Sequence, residues 1–398
     1  MRILFLSPIG NIGGAERVLL TAIESLRRER PDIAIGVLML SDGPLAKSVR
    51  ELGADAIVLP LPAELAGLGD SRGGRTLALV RIAREFPALA GFVRALRREV
   101  VRYAPDIVHS NGLKTHLLAC FAIPSDVPVI WHIHDFLGTR PLAGRLLRRA
   151  RSHVRAAVAV SEAVAVDASS ALPGLRVDVV PNAVDPAHFS PGPGDGADLD
   201  RRAGMSPAPR GTLRIGLVAT YARWKGHLVV LEAAASTTDL PVRWFLIGGP
   251  IYRTAAQFTE AELRAAVEAR GLAERVGFIP FVSDPAAIYR ALDVVLHAST
   301  QPEPFGLTIA EAMACGRPVV VSAAGGAVEL FTEGIDALGV APGDVAQLVS
   351  AVRRLIGDPE LRARLGIAAR RTAEARFDEA DYGRRMLAFY ASLDGAYA

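Results

Sequence analysis

Two cysteines in 398 residues, Cys120 and Cys315, are too few for a disulfide framework or a thiolate zinc site, and each sits inside an apolar segment. The expected surroundings are therefore reducing, as in the cytoplasm. No stretch approaches the roughly 18 uninterrupted apolar residues of a membrane-spanning helix. The apolar start, residues 1–6, breaks at Pro8 and Gly10, short of the core of a secretory signal. Charge of one sign is not in excess. Forty-five Lys and Arg face 42 Asp and Glu, a net charge of +3, and no basic block of the kind that grips nucleic acid is present. Apolar residues make up 51% and charged residues 22%, which excludes a disordered or fibrous chain, and the length exceeds what one hydrophobic core supports. Two globular domains are expected.

Short β-branched runs alternate with helical patterns throughout, as parallel sheets covered on both faces require. Strands are expected at 2–7, 33–39, 56–59, 107–110, 129–133, 157–160 and 177–180, then at 213–219, 244–247, 276–279, 294–297 and 318–322. Helical patterns fall at 16–27 and 45–52. Between the two sets, residues 190–211 contain nine Gly or Pro in 22 positions together with Asp195, Asp198, Asp200, Arg201 and Arg202. That texture reads as a linker or surface loop. The division is thus an amino-terminal domain to residue 189, a carboxyl-terminal domain over 212–377, and a final amphipathic helix over 378–398 with Tyr382, Met386, Phe389 and Tyr390 as its buried positions. Two such domains would face each other across a cleft, where small ligands bind.

The chemistry-bearing residues fall at strand ends. Glu303 follows the 294–299 run in a Pro-containing turn, and Glu311 lies one turn into the next helix, so both acceptor-only groups are expected to face one crevice. For Glu311 a capping box with Thr308 is the structural alternative. The turn 10–16, with Gly13 and Gly14, enters a helix, a geometry that presents backbone amides to an anion or merely turns the chain. It is not G-x-G-x-x-G, which argues against a nicotinamide cofactor. His132 and His134 share a face by period-two geometry. They leave open a metal pair, an imidazole at the crevice, or structural histidines, but no Cys or Glu cluster completes a metal site. Arg223 and Lys225, in a glycine-bearing turn after the 213–219 strand, suit a diphosphate; the alternative is a solvated basic turn. Gly325-Gly326 repeats the strand–glycine–helix logic beside the Glu303 loop.

In order along the chain, Gly13-Gly14, His134-Asp135, Val180-Pro181-Asn182-Ala183-Val184-Asp185, Trp224-Lys225-Gly226 and Glu303-Pro304-Phe305-Gly306 followed by Glu311-Ala312-Met313-Ala314-Cys315-Gly316 resemble retaining glycosyltransferase family 4. The resemblance spans nearly the whole chain and is most specific in the second half. It implies the GT-B fold, with two Rossmann-like parallel-sheet domains facing a central cleft and the last helix returning to the first domain. It implies transfer of a sugar from a UDP- or GDP-linked donor to a hydroxyl-bearing acceptor with retention of configuration, metal-independent and without a cofactor. Glu303 and the amides of Phe305, Gly306 and Leu307 would then hold the donor sugar and Glu311 the ribose. Lys225, Arg223 and the Gly13-Gly14 amides would neutralise the diphosphate, and His134 would lie near the transferred sugar.

The pattern departs from the family in the phosphate turn, where the usual Gly-Arg is Ala219-Thr220, and in Pro280, where a glycine is usual. A sugar-nucleotide epimerase or hydrolase of the same architecture and a non-catalytic sugar-nucleotide binder are the competing readings. The segment 72–102 carries eight arginines against Glu85 and Glu99, interleaved with apolar residues. It is a candidate for peripheral contact with the inner face of a membrane, for an acceptor wall, or for a surface helix with snorkelling arginines.

Overall fold

The computed structural model describes residues 1–66, 75–250 and 255–394, with the backbone only at residues 66, 75–85, 153 and 394. The chain forms two compact units, Met1–Pro181 with Ala380–Ala398, and Asn182–Glu379.

The first unit is built on a seven-stranded sheet: β1 (Arg2–Ser7), β2 (Ala34–Met39), β3 (Asp55–Val58), β4 (Ile107–Ser110), β5 (Val129–Ile133), β6 (Val154–Ala159) and β7 (Val177–Val179). Its order is β3-β2-β1-β4-β5-β6-β7, and every pair is parallel. Residues such as Ile3, Leu4, Val37, Val108, Ile130 and Val158 are almost wholly buried, as strands covered on both faces must be. The order reverses between β1 and β4. There the connections leave to opposite faces and open a crevice at the carboxyl ends of the strands. The helix Glu379–Asp394 returns to this unit, as expected. A side chain at Gly383 would lie 2.8 Å from the Ser25 carbonyl oxygen, and Tyr382, Met386, Phe389 and Tyr390 are buried.

The second unit repeats the plan with β8 (Leu213–Val218), β9 (Val242–Ile247), β10 (Val276–Ile279), β11 (Val294–His297), β12 (Val319–Ser322) and β13 (Leu338–Val340) in the order β10-β9-β8-β11-β12-β13, again all parallel. Its reversal lies between β8 and β11. Strand β13 was not expected from the sequence, because Leu338-Gly339-Val340 is three residues long and interrupted by glycine.

The Gly- and Pro-rich stretch 190–211 is not uniformly a loop. Asp195 caps a short helix, Gly196–Arg202, by accepting from the Asp198 amide at 3.1 Å, and Leu199 and Asp200 are buried. The Asp200 carboxylate meets Arg214 at 2.6 Å and Arg243 at 2.9 Å. That pairing explains why β9 begins at Val242 and admits a charged residue that hydropathy places outside it.

The segment 72–102 lies partly outside the described residues, at 72–74 and at the side chains of 75–85. In the remainder of the helix Arg75–Tyr103, Phe92, Leu96 and Val100 are buried while Arg94, Arg97, Arg98 and Arg102 are exposed. Among the described residues no helix is long and apolar enough to cross a membrane.

Removing one member of a buried ion cluster leaves an uncompensated charge, which costs about 3–5 kcal/mol. Asp200→Ala should therefore destabilise the second unit by about that amount in urea melts, whereas Asp198→Ala, on the exposed side of the same helix, should cost under about 1 kcal/mol. Equal losses in the two variants would contradict the assignment.

Candidate functional site

The reversal of the second sheet brings two turns together, one after β8 and one after β11. Lys225 stands in the first and Glu303 in the second. Lys225 Nζ lies 2.8 Å from Glu303 Oε1 and 2.7 Å from Oε2, and 4.0 Å from the centre of the Trp224 ring. Ser299 Oγ donates to Glu303 Oε2 at 2.8 Å, and His297 Nε2 donates to the same oxygen at 3.0 Å. Burial alone would raise the Glu303 carboxyl. The Lys225 charge and the His297 hydrogen bond outweigh it and hold the group well below the usual carboxylate range.

Backbone geometry fixes this cluster from two sides. Gly226 has φ +81°, and a Cβ there would stand 1.8 Å from the Ala298 carbonyl oxygen. Gly325 has φ +68°, and a Cβ there would stand 2.5 Å from the carbonyl oxygen of Glu303. Only glycine satisfies both conditions at these points. Through that close approach Gly326 N–H bonds the Glu303 carbonyl at 2.7 Å, and Glu303 N–H bonds Ala324 at 3.2 Å.

The side chain of Phe305 is buried and packs edge-on against Phe377, so only its backbone is available to a ligand. The amides of Phe305, Gly306 and Leu307 donate to no group among the described residues. They precede the helix Leu307–Ala314, whose cap residue is Gly306. Thr308 therefore lies inside the first turn, and the capping-box reading of Thr308 and Glu311 fails. Glu311 is buried and accepts from the Tyr289 hydroxyl at 2.6 Å. Arg223 points elsewhere: its guanidinium pairs with Glu262 at 2.7 Å, donates to the Ala255 carbonyl at 2.9 Å and covers the Phe258 ring at 4.2 Å.

At the reversal of the first sheet the turn after β1 leads through Gly13 into the helix Gly14–Glu29, and Glu16 folds back to accept from the Gly13 amide at 3.1 Å. The amides of Gly14 and Ala15 donate to nothing among the described residues. Asn111, directly after β4, links this turn to the histidines: its Nδ2 donates to the Ala15 carbonyl at 3.2 Å, and its Oδ1 accepts from His134 Nε2. His132 and His134 stack with ring centres 4.1 Å apart, the shared face expected from strand geometry. Burial pushes the His134 imidazole down to about 3. His109 and His116 are likewise held down to about 3 by burial and neighbouring histidines, and His132 well below its ordinary value. Among the described residues no group of three or more His, Cys, Asp and Glu is arranged to hold a metal ion.

Asn111, Ser299, His297 and Tyr289 were not singled out by sequence reasoning. Asn111 and Ser299 stand just past strands that flank the two reversals, and that position was the available signal for both.

Comparison with known proteins follows the same division. Residues 12–188 match Glycosyltransferase Family 4, and residues 206–372 match Glycosyl transferases group 1. The chain belongs to glycosyltransferase family 4. It is 35% identical over 198 residues to a 2-deoxystreptamine glucosyltransferase of Streptomyces kanamyceticus, a match covering 47% of this chain and 48% of that protein. To a D-inositol 3-phosphate glycosyltransferase of Corynebacterium kroppenstedtii it is 32% identical over 227 residues, covering 54% and 48%. The chain thus spans about half the length of these curated relatives. Anabaena HepE, solved in complex with UDP and glucose, superposes with TM-score 0.81 at 26% identity over 98% of this chain and 100% of that one. A sucrose-phosphate synthase from Thermosynechococcus elongatus, at 20% identity and TM-score 0.80, shares the fold, covering 100% of both chains. The two parallel-sheet domains of this family 4 chain are those of the GT-B class.

The buried histidines set a pH dependence. Their folded pKa values lie below the unfolded value of about 6.5, so between pH 6.5 and about 3 the unfolded chain binds protons that the folded chain does not. The stability is complete above about 6.5 and is lost as pH falls through that window, by up to about 1.4 kcal/mol per pH unit for each histidine. Imidazole resonances of His109, His116 and His132 should stay in the neutral position down to pH 5. Titration of any of them near 6.5 would contradict the burial.

Proposed function

We propose that this protein transfers a sugar from a UDP-linked donor to a hydroxyl acceptor, with retention of anomeric configuration and without a metal ion. The observation that carries the reading is the pair of half-buried Lys225 and buried Glu303 at the reversal of the second sheet, beside three amides that donate to no group among the described residues. HepE, which is structurally similar over 98% of this chain, has been solved with UDP and with UDP-glucose, which supports uridine diphosphate as the carrier.

The residues divide the work. The departing diphosphate gathers negative charge, and a prearranged cation with amide dipoles stabilises it more in the transition state than in the ground state. Lys225 and the Gly14 and Ala15 amides are the groups suited to this. Before a donor binds, Lys225 occupies both oxygens of Glu303, and Ser299 and His297 occupy Oε2 as well. A carboxylate has about four lone-pair positions. When a diphosphate draws Nζ away, Glu303 regains acceptor capacity for sugar hydroxyls, so recognition of the two ends of the donor is coupled. Glu311 serves the ribose and shares it with the Tyr289 hydroxyl. Arg223 joins the diphosphate only by leaving Glu262. His134, neutral and oriented by Asn111, serves the transferred sugar from the first domain.

The test is incubation with UDP-sugars in EDTA, with an acceptor panel that includes 2-deoxystreptamine and D-inositol 3-phosphate, the compounds in the relatives' names. Anomer-retained product formed only with acceptor is the expected outcome. Donor consumed alone would indicate a hydrolase or epimerase, and binding without turnover a non-catalytic binder. Lys225→Met should lower kcat by about 10²–10³, the usual loss for one such donor, with Lys225→Arg partly rescued. Wild-type turnover in Lys225→Met would remove this residue from the site.

A further inference from the structure

The carboxyl edge of the first sheet carries the glycine turn, Asn111 and His134, and the opposite edge carries a second, differently charged site. A cavity of about 440 Å³ opens at the amino-terminal ends of β1 and β3. It is lined by Arg2, Arg50, Asp55, Arg102 and Tyr103, with Ala54, Ala56 and Ile57 completing the wall. Three guanidinium groups face one carboxylate, in a chain whose overall charge is only +3.

The donors are unequally engaged. Arg102 pairs with Glu99, and the Arg2 guanidinium stacks over the Tyr103 ring at 5.0 Å. Arg50 is exposed and has no acceptor among the described residues. Tyr103 is only 7% exposed, yet its hydroxyl has no hydrogen-bond partner. A buried hydroxyl left unpaired costs about 1–3 kcal/mol, so an acceptor from outside the chain would relieve it. Burial, then the nearby charge of Asp55, pushes the phenol up to about 12, which keeps it a donor at neutral pH. Space for the ring comes from β2: at Gly36 a Cβ would lie 2.7 Å from the Tyr103 ring.

We propose that this cavity binds a phosphate ester of a small polyol or sugar, with Arg2, Arg50 and the Tyr103 hydroxyl on the phosphate and Asp55 accepting from the hydroxyls. Forked guanidinium donors match phosphate oxygens, and an acceptor-only carboxylate at the other side suits an alcohol and repels a second anion. The volume is within the range of small-molecule sites, about 300–1,000 Å³, and exceeds what a lone inorganic phosphate needs. The cavity lies on the opposite edge of the first sheet from Gly13, Asn111 and His134, and the proposal does not depend on the donor-site assignment.

Calorimetry with ribose 5-phosphate, ribose and inorganic phosphate, on the full chain, tests this. Ribose 5-phosphate should bind and ribose should not. Arg50→Gln should weaken binding at least about tenfold, the loss of one charge-assisted hydrogen bond, and Tyr103→Phe should weaken it less. Arg50 is exposed and pairs with no acceptor among the described residues, so its variant should melt as the wild type does and keep sugar transfer unchanged. Lys225→Met should leave this binding intact, which separates it from ribose 5-phosphate lodged in the donor site. A second arm uses vesicles of phosphatidylcholine with and without phosphatidylglycerol: binding there alone, lost in Arg50→Gln, assigns the phosphate to a lipid headgroup. No binding in either arm, or binding unchanged in Arg50→Gln, would overturn the proposal.

Discussion

A parallel sheet covered on both faces uses up its own polar groups. Every inner N–H and C=O is spent on a neighbouring strand, so a ligand finds unpaired groups only where strands end and the chain turns. In both units the order of strands reverses once, between β1 and β4 and between β8 and β11, and the turns after those four strands diverge to opposite faces. The residues with the most chemistry stand in those turns: Gly13 and Gly14 after β1, Asn111 after β4, Lys225 after β8 and Glu303 after β11. The fold does not choose their identities, but within each unit it decides which of them meet.

The Lys225–Glu303 pair shows what such a meeting requires. Bringing two opposite charges out of water costs several kcal/mol unless the remaining donors and acceptors are matched. Here the cost is offset by Ser299 and His297 on the second oxygen and by glycine at Gly226 and Gly325, where any side chain would push the two turns apart. A site maintained only for stability would do as well with apolar residues of similar volume. A half-buried cation held by one carboxylate is a more specific arrangement, and the transfer proposed above would use it by exchanging that carboxylate for a phosphate.

Most strands were legible because β-branched apolar runs of four to six residues between turn signals have few alternatives. The errors share a cause. Arg243 lies inside β9 because Asp200, 43 positions earlier, neutralises it, and no local window contains that pairing. The helix Gly196–Arg202 was hidden by the glycines and prolines around it, although Asp195 is an ordinary cap. At the two reversals, Glu303, Lys225 and His134 were singled out as strand-end polar residues, while Asn111 and Ser299, equally placed, carry side chains too common to stand out. Spacing picked out Arg223 but does not reveal that its guanidinium pairs with Glu262, 39 residues later, in this structure.

The charge state of His134 limits the part it could play in the proposed transfer. Its imidazole is neutral well below physiological pH, and its Nε2 hydrogen is committed to Asn111, whose own amide group is fixed by the Ala15 carbonyl. A neutral imidazole that donates through Nε2 has one lone pair left, on Nδ1, and nothing to donate with. It can accept from a hydroxyl but cannot stabilise an anion. In the transfer proposed above, positive potential for a leaving phosphate would then come from Lys225 and from backbone amides, and His134 would serve the hydroxyl-bearing part of a substrate. Asn111 enforces that choice by fixing the tautomer, which makes the residue after β4 as consequential as the histidine it holds.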